Sequence, residues 1–348
     1  MKLKNISDKI LKSLNIKDFK YIELPSIIET NHIVQRSGED FRKFIFSFYS
    51  QDGKELCLRP DLTIASCLQY LDKKIKKKAK LFYKGQAYRK NLKFNESIIK
   101  NQIGFEIIGS KSEKKDDKEI IDTALKSLSN FKYSSGTMTI GNVEIFNLFI
   151  NKLDIPERWK LRLSRHFWRK KYFNELLKRL ETNSDIDQNI VEVDKKKFSQ
   201  MLRENQNNVV AERSIDEILK RFEHKINDPR KVSKGKKVSR LIKKFLKIKC
   251  PIGDAAKKLN HFFKINKINL FVDQSYFPIS KNFISKIKIE FSTSLGRELE
   301  YYTGLVFTIS VIYGKKNFNI INGGRYDNLI RNLGSKRKVP AVGAAINI

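Results

Sequence analysis

Cysteine and histidine are both scarce. The 348 residues hold three cysteines, Cys57, Cys67 and Cys250, and four scattered histidines. Neither set has metal-ligand spacing, which argues against a disulfide framework and a zinc site alike. No run of roughly 18 apolar residues occurs, and the opening MKLKNISDKI has no apolar signal core. We expect a cytoplasmic protein without a membrane partner. Acid is scarce too, with 38 Asp and Glu against 71 Lys and Arg, a net charge of +33. That imbalance draws attention to nucleic acid. The excess, however, is mostly lysine spread along the chain with much Ile, Asn and Phe, as an AT-rich genome produces. A dedicated RNA binder clusters arginine with aromatic or glycine interleaving, so no nucleic-acid partner is expected. The 24 Phe and 12 Tyr and the 40% hydrophobic content describe a globular chain of two or three domains.

Residues 5–15 carry Ile6, Ile10, Leu11 and Leu14 at near-helical spacing and predict an amphipathic helix. DFKYIELPSIIE, 18–29, reads as a short strand interrupted by Pro25, which belongs at a sheet edge and suits an interface. Runs at 43–49 and 55–58 flank Asp52-Gly53 and form a hairpin. LRPDLT, 58–63, then opens a helix with Ile64, Cys67, Leu68 and Leu71 at helical spacing, and its lysine-rich tail runs over 72–80. Taken alone, Asp61 and Thr63 read as helix caps. Strands follow at 81–91, ending in Tyr88 and Arg89, and at 101–109, where Gln102 and Glu106 share one face. Two polar groups on so apolar a strand suggest a wet cavity over the sheet. Residues 111–129 predict a covering helix, 136–142 a strand and 143–152 a helix.

From Pro156 to Ile248 charge is dense and strand patterns vanish, which predicts a helical insertion at 156–248 between core segments 1–155 and 249–348. Arg162, Arg165, Arg169, Lys170 and Lys171 lie near Trp159 and Trp168. They read as cations snorkelling around buried tryptophans. Residues 228–237, DPRKVSKGKK, read as an exposed loop.

The residues from Gly296 to Asp327 organise the rest. Two β-type runs, 301–313 and 318–322, are broken at Gly314; Arg297, Glu298 and Glu300 lie just before the first, which opens with Tyr301 and Tyr302. Gly323 and Gly324 close the second ahead of Arg325. Charged and phenolic groups at strand ends, beside glycines, suit a pocket for a small zwitterion. Two ordinary core strands with solvated charges are the plainer alternative. Arg325 to Leu333 predicts a helix and 339–348 a small-residue strand. The plan is α+β: a mixed, mainly antiparallel sheet flanked by helices.

LRPDLT, YRKN, QIGFEIIG, GRELEYYTG, GGRYD and PAVG, in this order, resemble the class II catalytic core of histidyl-tRNA synthetases. The likeness is greatest to their shortened paralogue, the regulatory subunit of ATP phosphoribosyltransferase. The resemblance implies a class II synthetase-like fold and a pocket for free L-histidine. It implies Asp61, Thr63 and Gln102 as acceptors for the ammonium and Arg89 and Arg297 as cations for the carboxylate. It also implies Glu106 with Tyr301 or Tyr302 as partners of the imidazole.

Departures separate regulator from synthetase. The family's second motif has a glutamate where this chain has Asn91, and its third motif continues into an arginine where this sequence stops at Ile348. An anticodon-binding domain is missing, and Asp61 replaces the usual glutamate. Adenylation without those charges lacks most of its transition-state stabilisation. The resemblance therefore implies a non-catalytic subunit without a cofactor. It implies a dimer formed through the Pro25 region, joined in a hetero-octamer to short-form ATP phosphoribosyltransferase catalytic subunits. A reduced synthetase-like enzyme and a tRNA-binding module are the alternatives.

Overall fold

The computed structural model describes residues 3–16, 18–37, 39–90, 97–182, 200, 209–210, 213–214, 231–278, 286–296 and 300–348. They divide between two compact units. The first holds Met1–Ile145, Lys249–Leu259 and Val272–Ile348, and the second Phe146–Ile248 and Asn260–Phe271.

The first unit opens with helix α1 (Leu3–Ile16), which buries Ile10 and Leu14 one turn apart. The expected strand over 18–29 is two strands in different sheets, β1 (Lys20–Tyr21) and β2 (Ile27–Glu29). Pro25 lies between them, where it withholds no ladder donor. After α2 (Thr30–Ser37) a 3₁₀ segment, Glu39–Phe44, takes the first part of the run expected as strand. The hairpin β3 (Ser47–Tyr49) and β4 (Glu55–Leu58) then turns through Gly53 at φ +78°.

Helix α3 (Leu62–Asp72) begins at Asp61, whose carboxylate accepts from the Ile64 amide at 2.9 Å. The helix stops at Asp72, earlier than the lysine run predicts, and the chain turns at Lys74 with φ +51°. Strands β5 (Ala79–Tyr88) and β6 (Ile99–Ile108) follow. Next comes α4 (Glu113–Ser127), with Glu113 and Asp116 in its first turn and Lys126 in its last, as the helix dipole favours. Strand β7 (Ser135–Asn142) precedes α5 (Val143–Asn151).

In the second unit, α6 (Glu157–Arg165) and α7 (Lys170–Leu180) bury Trp159, Leu163, Phe173, Leu176, Leu177 and Leu180. Arg158 and Arg162 lie over the Trp159 ring, and Arg169 lies over Trp168 and Tyr172. Trp159 is buried under cations as the sequence reading has it, whereas Trp168 is only half-buried. A small ladder, β8 (Val209–Val210) with β9 (Arg213–Ser214), occupies a segment expected to lack strands. The loop expected over 228–237 is corrected from Val232 onward: α8 (Val232–Phe245) starts there, and 228–230 lie outside the described residues. Gly235, Val238, Ser239, Ile242 and Phe245 form its buried stripe, and that burial outweighs the weak propensity of Gly and Ser. Phe245 stacks on Phe149 with ring centroids 4.3 Å apart.

Returning to the sheet, β10 (Lys249–Pro251) and α9 (Ala255–Ile265) lead to β11 (Ile287–Ser292), β12 (Leu305–Tyr313) and β13 (Lys316–Arg325). The β12–β13 hairpin turns at Gly314, φ +60°, and carries a bulge at Ile309/Ser310. The expected helix over 325–333 shrinks to α10 (Leu329–Asn332), because Arg325 still belongs to β13. Strand β14 (Ala341–Asn347) completes a nine-stranded sheet in the order β1-β5-β6-β14-β13-β12-β7-β11-β10. The β1/β5 and β7/β11 pairs are parallel and the rest antiparallel. A three-stranded sheet, β2-β4-β3, stands apart. Helix α3 packs its apolar side with Tyr326, Leu329 and Ile330 into one core.

Candidate ligand site

Strands β6, β14, β13 and β12 share a cavity of about 370 Å³ with the start of α3 and the turn before β12. Asp61, Thr63, Arg89, Gln102, Tyr301 and Tyr302 line it together. Asp61 reaches it as the cap of α3 and accepts from the Tyr301 hydroxyl at 3.1 Å. Arg89 Nη2 stands 3.8 Å from the same carboxylate oxygen, while Arg89 Nε donates to the Pro60 carbonyl at 2.8 Å. Capping and cavity lining are thus both true of Asp61. Burial and the nearby Asp61 carboxylate push the Tyr301 phenol well above its ordinary range, so it stays a neutral donor.

Glu106 takes a different position. It is fully buried, and its carboxylate lies one layer beneath the cavity lining. The Tyr83 hydroxyl donates to Oε1 at 2.7 Å and the Tyr326 hydroxyl to Oε2 at 2.5 Å. Burial raises the Glu106 carboxyl to about 7, against the lowering effect of those hydroxyls and of Thr63. Tyr301 and Tyr302, expected beside Glu106, lie elsewhere in the lining. Tyr326 and Thr63 are lining groups that bond to it.

Arg297 and Glu298 lie outside the described residues, as does Asn91. Arg325 is a structural cation. Its Nε and Nη2 donate to Asp117 at 2.9 and 2.6 Å, and Nη1 donates to Asp327 at 2.9 Å. Asp327 in turn accepts from the Ala341 amide at 3.1 Å. This network fixes the GGRYD turn and keeps Arg325 and Asp327 out of the cavity lining, to which Gly323, Gly324 and Tyr326 contribute.

The far wall is made of amides. Gln102 Nε2 donates to Asn347 Oδ1 at 2.9 Å across the β6–β14 ladder, and Asn319 Nδ2 donates to Asn322 Oδ1 at 2.9 Å within β13. Lys100 adds a cation. Sequence reading missed Tyr83, Tyr326, Lys100 and the three asparagines. The GGRYD motif contained Tyr326, but nothing in its spacing showed that its hydroxyl turns toward Glu106.

The family model described as histidyl-tRNA synthetase matches residues 1–239 and 235–348. The chain belongs to the histidyl-tRNA synthetase family. Among similar family members, the ATP phosphoribosyltransferase regulatory subunit of Chelativorans sp. (strain BNC1) is 26% identical over 88% of this chain and 86% of its own. Its namesake from Rhizobium rhizogenes is also 26% identical, over 93% and 91%. A crystal structure titled as an ATP phosphoribosyltransferase regulatory subunit/histidyl-tRNA synthetase from Bacillus halodurans aligns at TM-score 0.57 and 21% identity. It covers 99% of this chain and 76% of that one. A histidine–tRNA ligase subunit from Alicyclobacillus acidocaldarius aligns at TM-score 0.57 and 17% identity, over 99% and 89%. Both establish the histidyl-tRNA synthetase-like fold, a mixed sheet flanked by helices.

Proposed function

We propose that this chain is a non-catalytic regulatory subunit of ATP phosphoribosyltransferase that senses free L-histidine. The observation that carries the reading is the convergence of Asp61, Thr63, Arg89, Gln102, Tyr301 and Tyr302 on one cavity above a buried carboxyl. Asp61, held by the Tyr301 hydroxyl, offers an acceptor to an ammonium, and Arg89 supplies the cation for a carboxylate. Tyr326, backed by Glu106, offers a polar contact to a ring nitrogen. The names of the relatives support the regulatory role.

The amide wall supports a role without adenylation. Its side chains satisfy one another, and Arg89 and Lys100 are the cations among the described lining residues. Stabilising a reacting triphosphate takes more preorganised positive charge than that. In this reading the partner is a short-form catalytic subunit, which carries the catalytic residues for the first step of histidine synthesis. This chain acts in the cytoplasm as a dimer within a hetero-octamer. Histidine and the catalytic subunit then sense each other reciprocally through their shared binding free energy.

Calorimetry with histidine, followed by ATP–pyrophosphate exchange on the same sample, tests the reading. Histidine binding without exchange is the expected result. Exchange at synthetase rates would overturn it in favour of an amino-acid-activating enzyme.

A further inference from the structure

Several lining groups have a fixed hydrogen-bond direction. The Tyr301 hydroxyl donates to Asp61 at 3.1 Å, and Gln102 donates to Asn347 at 2.9 Å. What Tyr326 offers the cavity depends instead on the carboxyl beneath it. An ionised Glu106 only accepts, so the Tyr326 hydroxyl donates down to Oε2 at 2.5 Å and leaves an oxygen lone pair for the cavity. A protonated Glu106 carries a hydrogen of its own, which one of its two tyrosines must accept. Tyr83 lies outside the cavity lining, whereas Tyr326 lies in it and can turn its own hydrogen toward a ligand. One proton on Glu106 thus reverses Tyr326 from acceptor to donor. Burial and the nearby Glu106 carboxylate push the Tyr326 phenol well above its ordinary range, so it passes a proton on without holding the charge.

The groups that face Glu106 come from four elements. Helix α3 supplies Thr63 and the Cys67 thiol, with Asp61 at its start, and β5 supplies Tyr83. The turn after β13 supplies Tyr326, and β14 sets Gly343 opposite. Tyr301 also feels the Glu106 charge. None of these groups is a cation, so the ionised carboxylate is a buried charge with hydrogen bonds but no counter-ion among them. Burial holds that carboxyl at about 7, and a free imidazole side chain titrates at about 6.5. Groups so nearly matched exchange a proton at little cost, and the attraction between the two charges formed, strong away from water, favours the exchange. We propose that histidine is held in this cavity as its imidazolium, with Glu106 as the source of the ring proton and Tyr326 as the group that passes it; the proposal rests on the histidine-sensing reading above. The Glu106 O–H bond breaks as its hydrogen passes to the Tyr326 oxygen, while the Tyr326 hydrogen passes to the ring nitrogen. Tyr326 ends neutral, Glu106 ionised and the ring cationic.

Calorimetry of the full chain with L-histidine, in buffers of different ionisation enthalpy, counts the protons exchanged on binding. A bound state in which ring and carboxyl share one proton predicts uptake of about 0.9 proton per histidine at pH 8 and release of about 0.9 near pH 5.5. Affinity should accordingly fall roughly sevenfold between pH 7.5 and 8.5. Glu106→Gln and Tyr326→Phe should each bring the uptake at pH 8 close to zero. Triazolylalanine is the probe that needs no variant. It shares the ammonium and carboxylate of histidine, and its weakly basic ring should bind wild type without uptake. Histidine binding to wild type without proton uptake at pH 8 would overturn the proposal and leave the histidine-sensing reading intact. Failure to bind histidine at any pH would overturn both. Undiminished uptake in Glu106→Gln or Tyr326→Phe would assign the proton to another group, and equal uptake with triazolylalanine would assign it away from the ring. Either result overturns the proposal.

Discussion

Gly343 and Glu106 face each other across the β6–β14 ladder so closely that a β-carbon on Gly343 would stand 1.3 Å from Glu106 Oε2. A real side chain cannot share that space. The glycine of PAVG is therefore required by the carboxylate beneath it.

Substituting Gly343→Ala should displace Glu106 from its two tyrosines and lower stability by about 2–3 kcal/mol, the upper range for overpacking a filled interior. Urea denaturation reads this directly. An unchanged midpoint would mean that the carboxyl can swing aside freely.

The raised Glu106 carboxyl also sets a pH dependence. Between its unfolded range near 4.5 and its folded value of about 7, the folded state holds a proton that the unfolded state has released. Stability from this group is therefore greatest below pH 4.5, declines as pH rises toward 7 and then levels off, a change of roughly 3 kcal/mol. Asp117, raised to about 6 mainly by burial, slopes the same way over a lower window. Glu106→Gln should flatten the upper part of the profile. A slope identical to wild type between pH 6 and 7 would assign that part elsewhere.

Asp61 can be separated from its capping duty. Asn caps as well as Asp, whereas Ala forfeits about 1 kcal/mol of cap energy. Asp61→Asn should thus leave the thermal midpoint nearly unchanged yet weaken histidine binding by at least about 10-fold, because a charge-assisted contact is lost. Full affinity in the asparagine variant would reduce Asp61 to a cap.

Arg325→Gln would strand Asp117 and Asp327 without their shared cation. Breaking a buried pair from one side costs about 3–5 kcal/mol. Adding Asp117→Asn should recover part of that loss, and a double-mutant cycle by denaturant unfolding measures the coupling. Strict additivity would show that Arg325 and Asp117 act independently.

Much of this was legible before the structure. The β12–β13 hairpin announces itself through β-branched runs around Gly314, and α4 through its periodicity and charge gradient. Gln102 and Glu106 share a strand parity, which predicts a common face. Parity does not predict depth, and Gln102 reaches the cavity while Glu106 stays beneath it. The structural role of Arg325 was not legible, because its acceptor Asp117 lies 208 residues away on α4, beyond any local pattern. Helix α8 hid behind Lys, Gly and Ser because its burial, not its propensity, makes it helical.

The placement of β14 has a consequence for biogenesis. It sits between β6 and β13, and its Asn347 bonds Gln102 from 245 residues away. The ribosome delivers β14 only after every strand it pairs with. Until then the sheet exists as two separated halves, each with an unpaired edge where the cavity floor belongs. A nascent chain therefore cannot hold ligand, however well its earlier segments have folded, and its open edges are the stage most exposed to aggregation.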